Sequence, residues 1–194
     1  MIANVENVKN LLLSLKLLDN WVHTQADALE KNKGDNSKEL QFINMVSWYI
    51  RINLEMIYFY VSQWEGKQIG DEEVKRCIEL TKLLFINTVS LAEYVIREFY
   101  NLNVKIMLSR IIEKCIPEHD KKFWSFINNI RNDIVHNNGI VRENDKFSLN
   151  SREFILEQGK MTQIKENRLD DFVLIVEHLL IKVINILRSK PGIQ

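Results

Sequence analysis

An arginine, an asparagine and a histidine lie close together in the segment 131–136, as Arg131, Asn132 and His136. A histidine side chain can take up or release a proton near neutral pH. An arginine stays cationic and can hold a phosphate through two parallel hydrogen bonds, and an asparagine amide can orient either partner. Together these three residue types suit the cleavage of a phosphodiester bond in RNA, in which the neighbouring 2′-hydroxyl attacks and no metal is needed.

The spacing predicts that these side chains leave one helix in different directions. Residues five apart in a helix project about 140° apart, which applies to Arg131 and His136. Asn132 and His136 are one turn apart and share a polar face. The side chains of Arg131 and His136 on a single helix would therefore not easily contact the same substrate atom. Either the arginine side chain bends round, or two copies of the chain combine their groups across a symmetry axis. The second alternative predicts an isologous dimer in which two of these helices face each other.

The same helix is predicted to bury one side and to expose the other. Its predicted buried stripe consists of Phe123, Ile127, Ile130 and Ile134. Its predicted polar face consists of Ser125, Asn129, Asn132 and His136. On spacing alone, the simpler interpretation is a surface helix whose terminal histidine interacts favourably with the helix dipole.

The rest of the chain is also predicted to be mostly helical, because apolar residues recur at steps of three and four and glycine and proline are rare. Helices are predicted over residues 3–31, 38–65, 71–100, 104–115, 119–137 and 169–187. Between the last two helices the helical period is lost, which predicts a small β-hairpin or an irregular loop near 145–166. The predicted fold class is therefore all-α, an up-and-down bundle of about six helices.

The predicted organisation has two parts. Residues 1–70 form an N-terminal extension of two long helices, and residues 71–190 form the bundle that carries the candidate site. The extension is expected to pack with the bundle as one unit.

Composition restricts the classes of function. The chain has 26 basic and 26 acidic residues. This balance argues against electrostatic binding of nucleic acid over a large surface but allows a local phosphate site. Two cysteines, Cys77 and Cys115, are too few for a disulfide scaffold. No segment approaches the ~20 apolar residues that span a bilayer, and the N-terminus lacks the pattern of a signal peptide. We therefore expect no membrane partner and a cytoplasmic location.

The segment 131–136 resembles the hallmark of the HEPN superfamily. In that family an arginine, often followed by a polar residue, precedes a histidine with four to six residues between them. The helix ends after His136 at Asn138 and Gly139. The preceding long helix, predicted over 71–100, contains NTVSLAEYVIREFYN and resembles an earlier family helix that often carries an acidic residue pointing at the site, and Glu93 is the best match. The resemblance covers about residues 75–188.

This resemblance implies a metal-independent endoribonuclease whose site lies at a dimer interface. Arg131 would bind or polarise the scissile phosphate, and His136 would be the general base or acid. Asn132 would position the phosphate or the histidine, and Glu93 would orient Arg131 or His136. No cofactor and no metal are implied.

The resemblance also implies a biological setting, which is RNA-directed defence or a toxin–antitoxin system. RNA would be the substrate, and the chain would form a homodimer through the helix that carries Arg131 and His136. An antitoxin or another protein is the further partner implied. Because several family branches lack nuclease activity, the alternative is a non-catalytic helical module that binds RNA or a protein partner. A third alternative is a helical bundle with no site at all.

Three other groups of residues have simpler interpretations. Asp133 and His136 are three residues apart, but no second acid–histidine pair accompanies them as a helical di-metal site requires. The aromatic residues of the second helix spread around it, which favours core packing with a partner interface over base stacking. Lys121 and Lys122 precede the motif and are either a solvated pair or a guide for phosphate.

Overall fold

The computed structural model of the chain describes residues 2–33, 38–62, 71–103, 107–160 and 170–188. The helices in these residues are α1 Ile2–Lys33, α2 Lys38–Ser62, α3 Asp71–Phe99, α4 Leu108–Cys115, α5 Glu118–His136 and α6 Asp171–Arg188. The strands are β1 Asp145–Leu149 and β2 Arg152–Leu156. The predicted all-α class with one small hairpin is confirmed. None of the described helices is both long enough and apolar enough to cross a bilayer.

The chain divides into two units. The first unit consists of Met1–Ile96 and Ile164–Gln194, and the second consists of Arg97–Gln163. The predicted boundary at residue 70 falls in the segment 63–70, outside the described residues. The division into residues 1–70 and 71–190 therefore stays a prediction. The predicted start of the fourth helix, at 104–106, also lies outside the described residues, and α4 begins at Leu108 after an extended Met107.

The first unit is held together by apolar faces at helical spacing. In α1 the buried side chains recur every three or four residues, as at Leu11, Leu15, Leu18 and Val22, so they form one stripe. This helix packs against α2, and both contact α6. Thr81 and Thr88 of α3 are buried, and their hydroxyls donate to backbone carbonyls one turn earlier in the same helix, so these two core hydroxyls are hydrogen-bonded.

The aromatic residues of α2 divide between the core and the surface. Phe42 is fully buried, whereas Trp48 and Phe59 are each 60% exposed. Tyr58 is 38% exposed, and Nζ of Lys16 lies over its ring, 5.0 Å from the centroid. Core packing therefore applies to part of this cluster, and the partner interface predicted with it stays a prediction.

The hairpin of the second unit begins and ends at defined residues. Its strands are antiparallel, and Leu149 pairs with Arg152 across a two-residue turn. The turn residues Asn150 and Ser151 have φ angles of 49° and 62°. Two consecutive left-handed residues are what a type I′ turn requires, and this turn matches the twist of the flanking strands.

An aromatic cluster fixes the hairpin to α5. The ring of Phe147 lies 5.3 Å from that of Phe123 and 5.6 Å from that of Phe126, between centroids. Phe154, the cross-strand partner of Phe147, lies 6.5 Å from Phe126. Four aromatic side chains thus hold the hairpin against the helix that carries the candidate site, because such pairs add to the stabilisation from burial alone.

Candidate functional site

Helix α5 has well-defined ends and one buried side. It begins directly after Pro117, whose fixed φ and missing N–H suit the start of a helix. Phe123, Ile127 and Ile130 are buried as predicted. The prediction that Ile134 is buried is wrong. Ile134 is only half-buried, because it lies in the last turn, where the buried position is taken by Asp133 instead.

Arg131 and Asn132 form an ordered pair on α5. The guanidinium Nη1 of Arg131 donates a hydrogen bond of 3.0 Å to Asn132 Oδ1. Asn132 Nδ2 in turn donates to Asn128 Oδ1 at 3.4 Å, one turn earlier. All three residues are half-buried. This chain of hydrogen bonds orients the guanidinium along the helix surface, and we call it the Arg–Asn chain.

The guanidinium of Arg131 keeps hydrogen-bond donors available for a ligand. An arginine has five N–H donors in a fixed fork. Within the part of the chain that the structure describes, its only hydrogen bond is the one from Nη1 to Asn132. Its Nε is buried and has no partner there. An anion that reached this group would therefore satisfy donors that the described residues leave unused.

His136 occupies the last turn of α5 and is exposed. No hydrogen bond or ion pair in the described residues joins it to Arg131 or Asn132. A histidine at this end of a helix interacts favourably with the helix dipole when it is protonated. The structure therefore places Arg131 and Asn132 together and leaves His136 one turn further on, facing solvent.

Glu93 lies on α3 in the first unit and is 9% exposed. The other three predicted site residues belong to the second unit. The role of Glu93 in orienting Arg131 or His136 stays a prediction.

Asp133 has a structural role that was not predicted from the sequence. Its side chain is almost fully buried, with the residue only 2% exposed. Its Oδ1 accepts a hydrogen bond of 2.8 Å from Nε of Arg142, a residue that follows the end of the helix. The sequence holds one signal of this role: Asp133 lies beside the apolar stripe of α5, where its carboxylate could be buried. A buried carboxylate needs a cationic or hydrogen-bonding partner.

The backbone of Asp133 also fixes the end of α5. Its carbonyl oxygen accepts hydrogen bonds from the N–H groups of Asn137, at 3.2 Å, and Gly139, at 2.7 Å. Asn138 and Gly139 have φ angles of 50° and 78°, so the chain turns through left-handed conformations that satisfy the last carbonyls of a helix. Asp133 thus anchors the turn that carries His136.

A groove lies beside α5 in the second unit. It has a volume of about 760 Å³ and is lined by Lys122, Asn144, Asp145, Lys146, Ile155, Leu156, Glu157 and Gln158. Helix α5 contributes Lys122 to one wall, and the hairpin with the residues around it forms the rest. Asn129 Nδ2 of α5 donates to Asp145 Oδ2 at 3.0 Å, which ties the two walls together. We call this feature the hairpin groove.

The fold and the site define an all-α protein with an arginine–asparagine–histidine helix. Within the described residues, no three His, Cys, Asp or Glu side chains converge as a metal site would need. Comparisons with protein-family models, with curated proteins and with solved structures found no match. The HEPN resemblance therefore stays a prediction that rests mainly on the segment 131–136 and on helix α3.

Proposed function

We propose that this chain is a HEPN-like, metal-independent endoribonuclease that acts as a homodimer. In this proposal Arg131 binds the scissile phosphate and His136 moves a proton in the reaction. The observation that carries the proposal is the Arg–Asn chain, which orients a guanidinium with unused donors one turn before an exposed imidazole. Such an activity would serve in RNA-directed defence or in a toxin–antitoxin system.

The proposed reaction needs only groups that the chain, the RNA and water supply. The 2′-oxygen attacks phosphorus, the bond from phosphorus to the 5′-oxygen breaks, and the products carry a 2′,3′-cyclic phosphate and a 5′-hydroxyl. The 2′-oxygen loses one proton and the departing 5′-oxygen gains one, and His136 carries one of these two transfers while water carries the other. Arg131 donates to the non-bridging oxygens, where negative charge increases in the transition state.

A second copy of the chain supplies what one copy lacks. The guanidinium of Arg131 is bonded to Asn132, and His136 projects about 140° away from Arg131 around the helix. Val135 lies between Arg131 and Asn132 around α5 and is 45% exposed, so the proposed dimer face includes an apolar side chain. Two α5 helices that face each other across a twofold axis can bring His136 of one copy to Arg131 of the other.

Cleavage of single-stranded RNA in the presence of EDTA tests this proposal. We expect wild-type protein to leave cyclic phosphate ends, and we expect His136→Ala to reduce the rate by about 10²- to 10⁴-fold, as for loss of a general acid or base. The matched control is His119→Ala. His119 is an exposed histidine at the other end of α5 whose imidazole lies 3.6 Å from Asp120, and it has no role in the proposal.

Substitutions of Arg131 separate charge from geometry. Arg131→Lys keeps the positive charge but loses the planar fork that holds a phosphate through two hydrogen bonds. We therefore expect Arg131→Lys to lose most of the activity and Arg131→Ala to lose at least as much, with circular dichroism showing that both remain folded. Wild-type protein that binds RNA without cutting it would instead support the non-catalytic module. Full activity in His136→Ala would refute the proposal.

A further inference from the structure

The hairpin groove is large enough to hold part of a ligand, and its acidic groups are already engaged. Its volume of about 760 Å³ lies within the range of ligand sites in proteins. Asp145 accepts from Asn129 Nδ2 through Oδ2 and from the backbone N–H of Lys146, at 2.8 Å, through Oδ1. Glu157 is ion-paired with Lys160. Glu157 is therefore neutralised by Lys160, whereas Asp145 keeps its negative charge because both of its hydrogen-bond donors are neutral.

The two lysines that line the groove have no such partners among the residues that the structure describes. Lys122 and Lys146 are both exposed. Neither ammonium group makes an ion pair or a hydrogen bond within the described segments. The neighbouring Lys121, in contrast, is ion-paired with Glu118 at 2.6 Å. Among the described residues, the groove therefore has two unpaired cations, one from α5 and one from β1, against the single un-neutralised carboxylate of Asp145, and this local excess of positive charge suits a ligand that carries phosphate groups.

The groove is aligned with the candidate site along α5. Lys122, Asn129 and His136 are spaced by seven residues, which is close to two helical turns, so their side chains leave α5 within about 40° of one another. His136 lies about 21 Å along the helix from Lys122, at 1.5 Å per residue. His136 and Lys122 thus lie on the same side of α5, with the Asn129–Asp145 hydrogen bond between them, and a single strand of RNA that passes outside this bond can reach both.

The geometry points to the hairpin groove as the binding site for the sugar–phosphate backbone of single-stranded RNA, a few nucleotides away from the bond that His136 acts on. Lys122 and Lys146 contact successive phosphates, and Asn144 and Gln158 line the same groove with amide groups that can bond to ribose or base edges. Unpaired RNA fits this role because its backbone can follow one side of a helix and its bases remain accessible. This inference rests on the proposed function.

Binding and cleavage by a groove variant test this inference together. The variant is Lys122→Gln with Lys146→Gln, and the matched control is Lys121→Gln, which removes an ion-paired lysine of the same helix. Affinity is measured by fluorescence anisotropy of a labelled single-stranded oligoribonucleotide, in a His136→Ala background so that the RNA stays intact. We expect the dissociation constant to rise about tenfold in the groove variant and to stay within about twofold in the control. The slope of log affinity against log salt concentration should become less negative by about 1.4, because two phosphate contacts on a single strand are lost.

The kinetic result distinguishes this inference from the proposed function. In the active background, we expect the groove variant to raise KM with little change in kcat, because the groove binds RNA away from the reacting atoms. If wild-type protein cuts RNA but the groove variant binds as tightly as Lys121→Gln, the groove inference is overturned and the nuclease stands. If wild-type protein binds RNA through the groove but cuts none, the inference stands and the nuclease fails. Absence of RNA binding by wild-type protein overturns the inference.

Discussion

Removal of the Arg142 side chain should destabilise the protein by leaving the Asp133 carboxylate buried without its cation. The side chain of Asp133 is only 3% exposed, whereas that of Arg142 is 54% exposed, and the two are joined by a contact of 2.8 Å. Loss of one partner from a fully buried ion pair costs about 3–5 kcal/mol. Because water reaches the guanidinium side of this pair, we expect Arg142→Ala to lower the free energy of unfolding by about 2 kcal/mol.

Urea denaturation followed by circular dichroism measures this change. With a slope of about 2 kcal/mol per molar urea, a loss of about 2 kcal/mol moves the midpoint down by about 1 M. The control is Arg110→Ala, which removes an exposed ion pair with Glu113, at 3.3 Å, and should change the free energy by less than about 0.5 kcal/mol. Combining Arg142→Ala with Asp133→Asn removes the buried charge and should recover about half of the loss. Equal midpoints for Arg142→Ala and Arg110→Ala would refute the argument.

Three further predictions concern other parts of the chain. Burial, together with the negative charge of Glu73, raises the pKa of Cys77 to about 11. The folded state thus holds this proton more tightly than the unfolded state does. The contribution of this thiol to the free energy of unfolding is fully present below its unfolded-state pKa near 9 and is lost as pH rises towards 11. Urea titrations should therefore show that the free energy of unfolding falls more steeply between pH 9 and 11 in wild type than in Cys77→Ala. Gly139→Val places a branched side chain at a φ of 78° and should lower the melting temperature by about 4 °C. Phe147→Ala removes the half-buried ring that joins the hairpin to α5 and should cost about 2 kcal/mol, with faster amide hydrogen exchange in β1.

The helices of this protein could be predicted because their local signals agree. Apolar side chains recur at helical spacing, and Pro117 and Gly139 mark the two ends of α5. The hairpin could be predicted only as an alternative to a loop. Its turn residues, Asn150 and Ser151, lack the asparagine–glycine pair that is the strongest short-range signal of a type I′ turn.

The candidate site could be predicted only in part, because some of its contacts depend on tertiary packing. The divergence of Arg131 and His136 follows from helix geometry alone. The burial of Asp133 and its pairing with Arg142 depend on how the chain folds back after α5, which no local pattern specifies. The hairpin groove has the same origin, because residues distant in sequence meet there only when the hairpin packs on the helix.

A mixing experiment tests most directly whether Arg131 and His136 form a shared site for RNA cleavage. Arg131→Ala and His136→Ala proteins are each inactive under the proposal, and they are co-expressed with different tags so that mixed dimers form. Random pairing makes half of the dimers mixed, and one of the two sites in each mixed dimer is intact, so we predict about a quarter of the wild-type activity in EDTA. A mixture that stays inactive beside active wild-type protein would contradict the shared site. Wild-type protein that leaves RNA uncut would contradict the whole proposal.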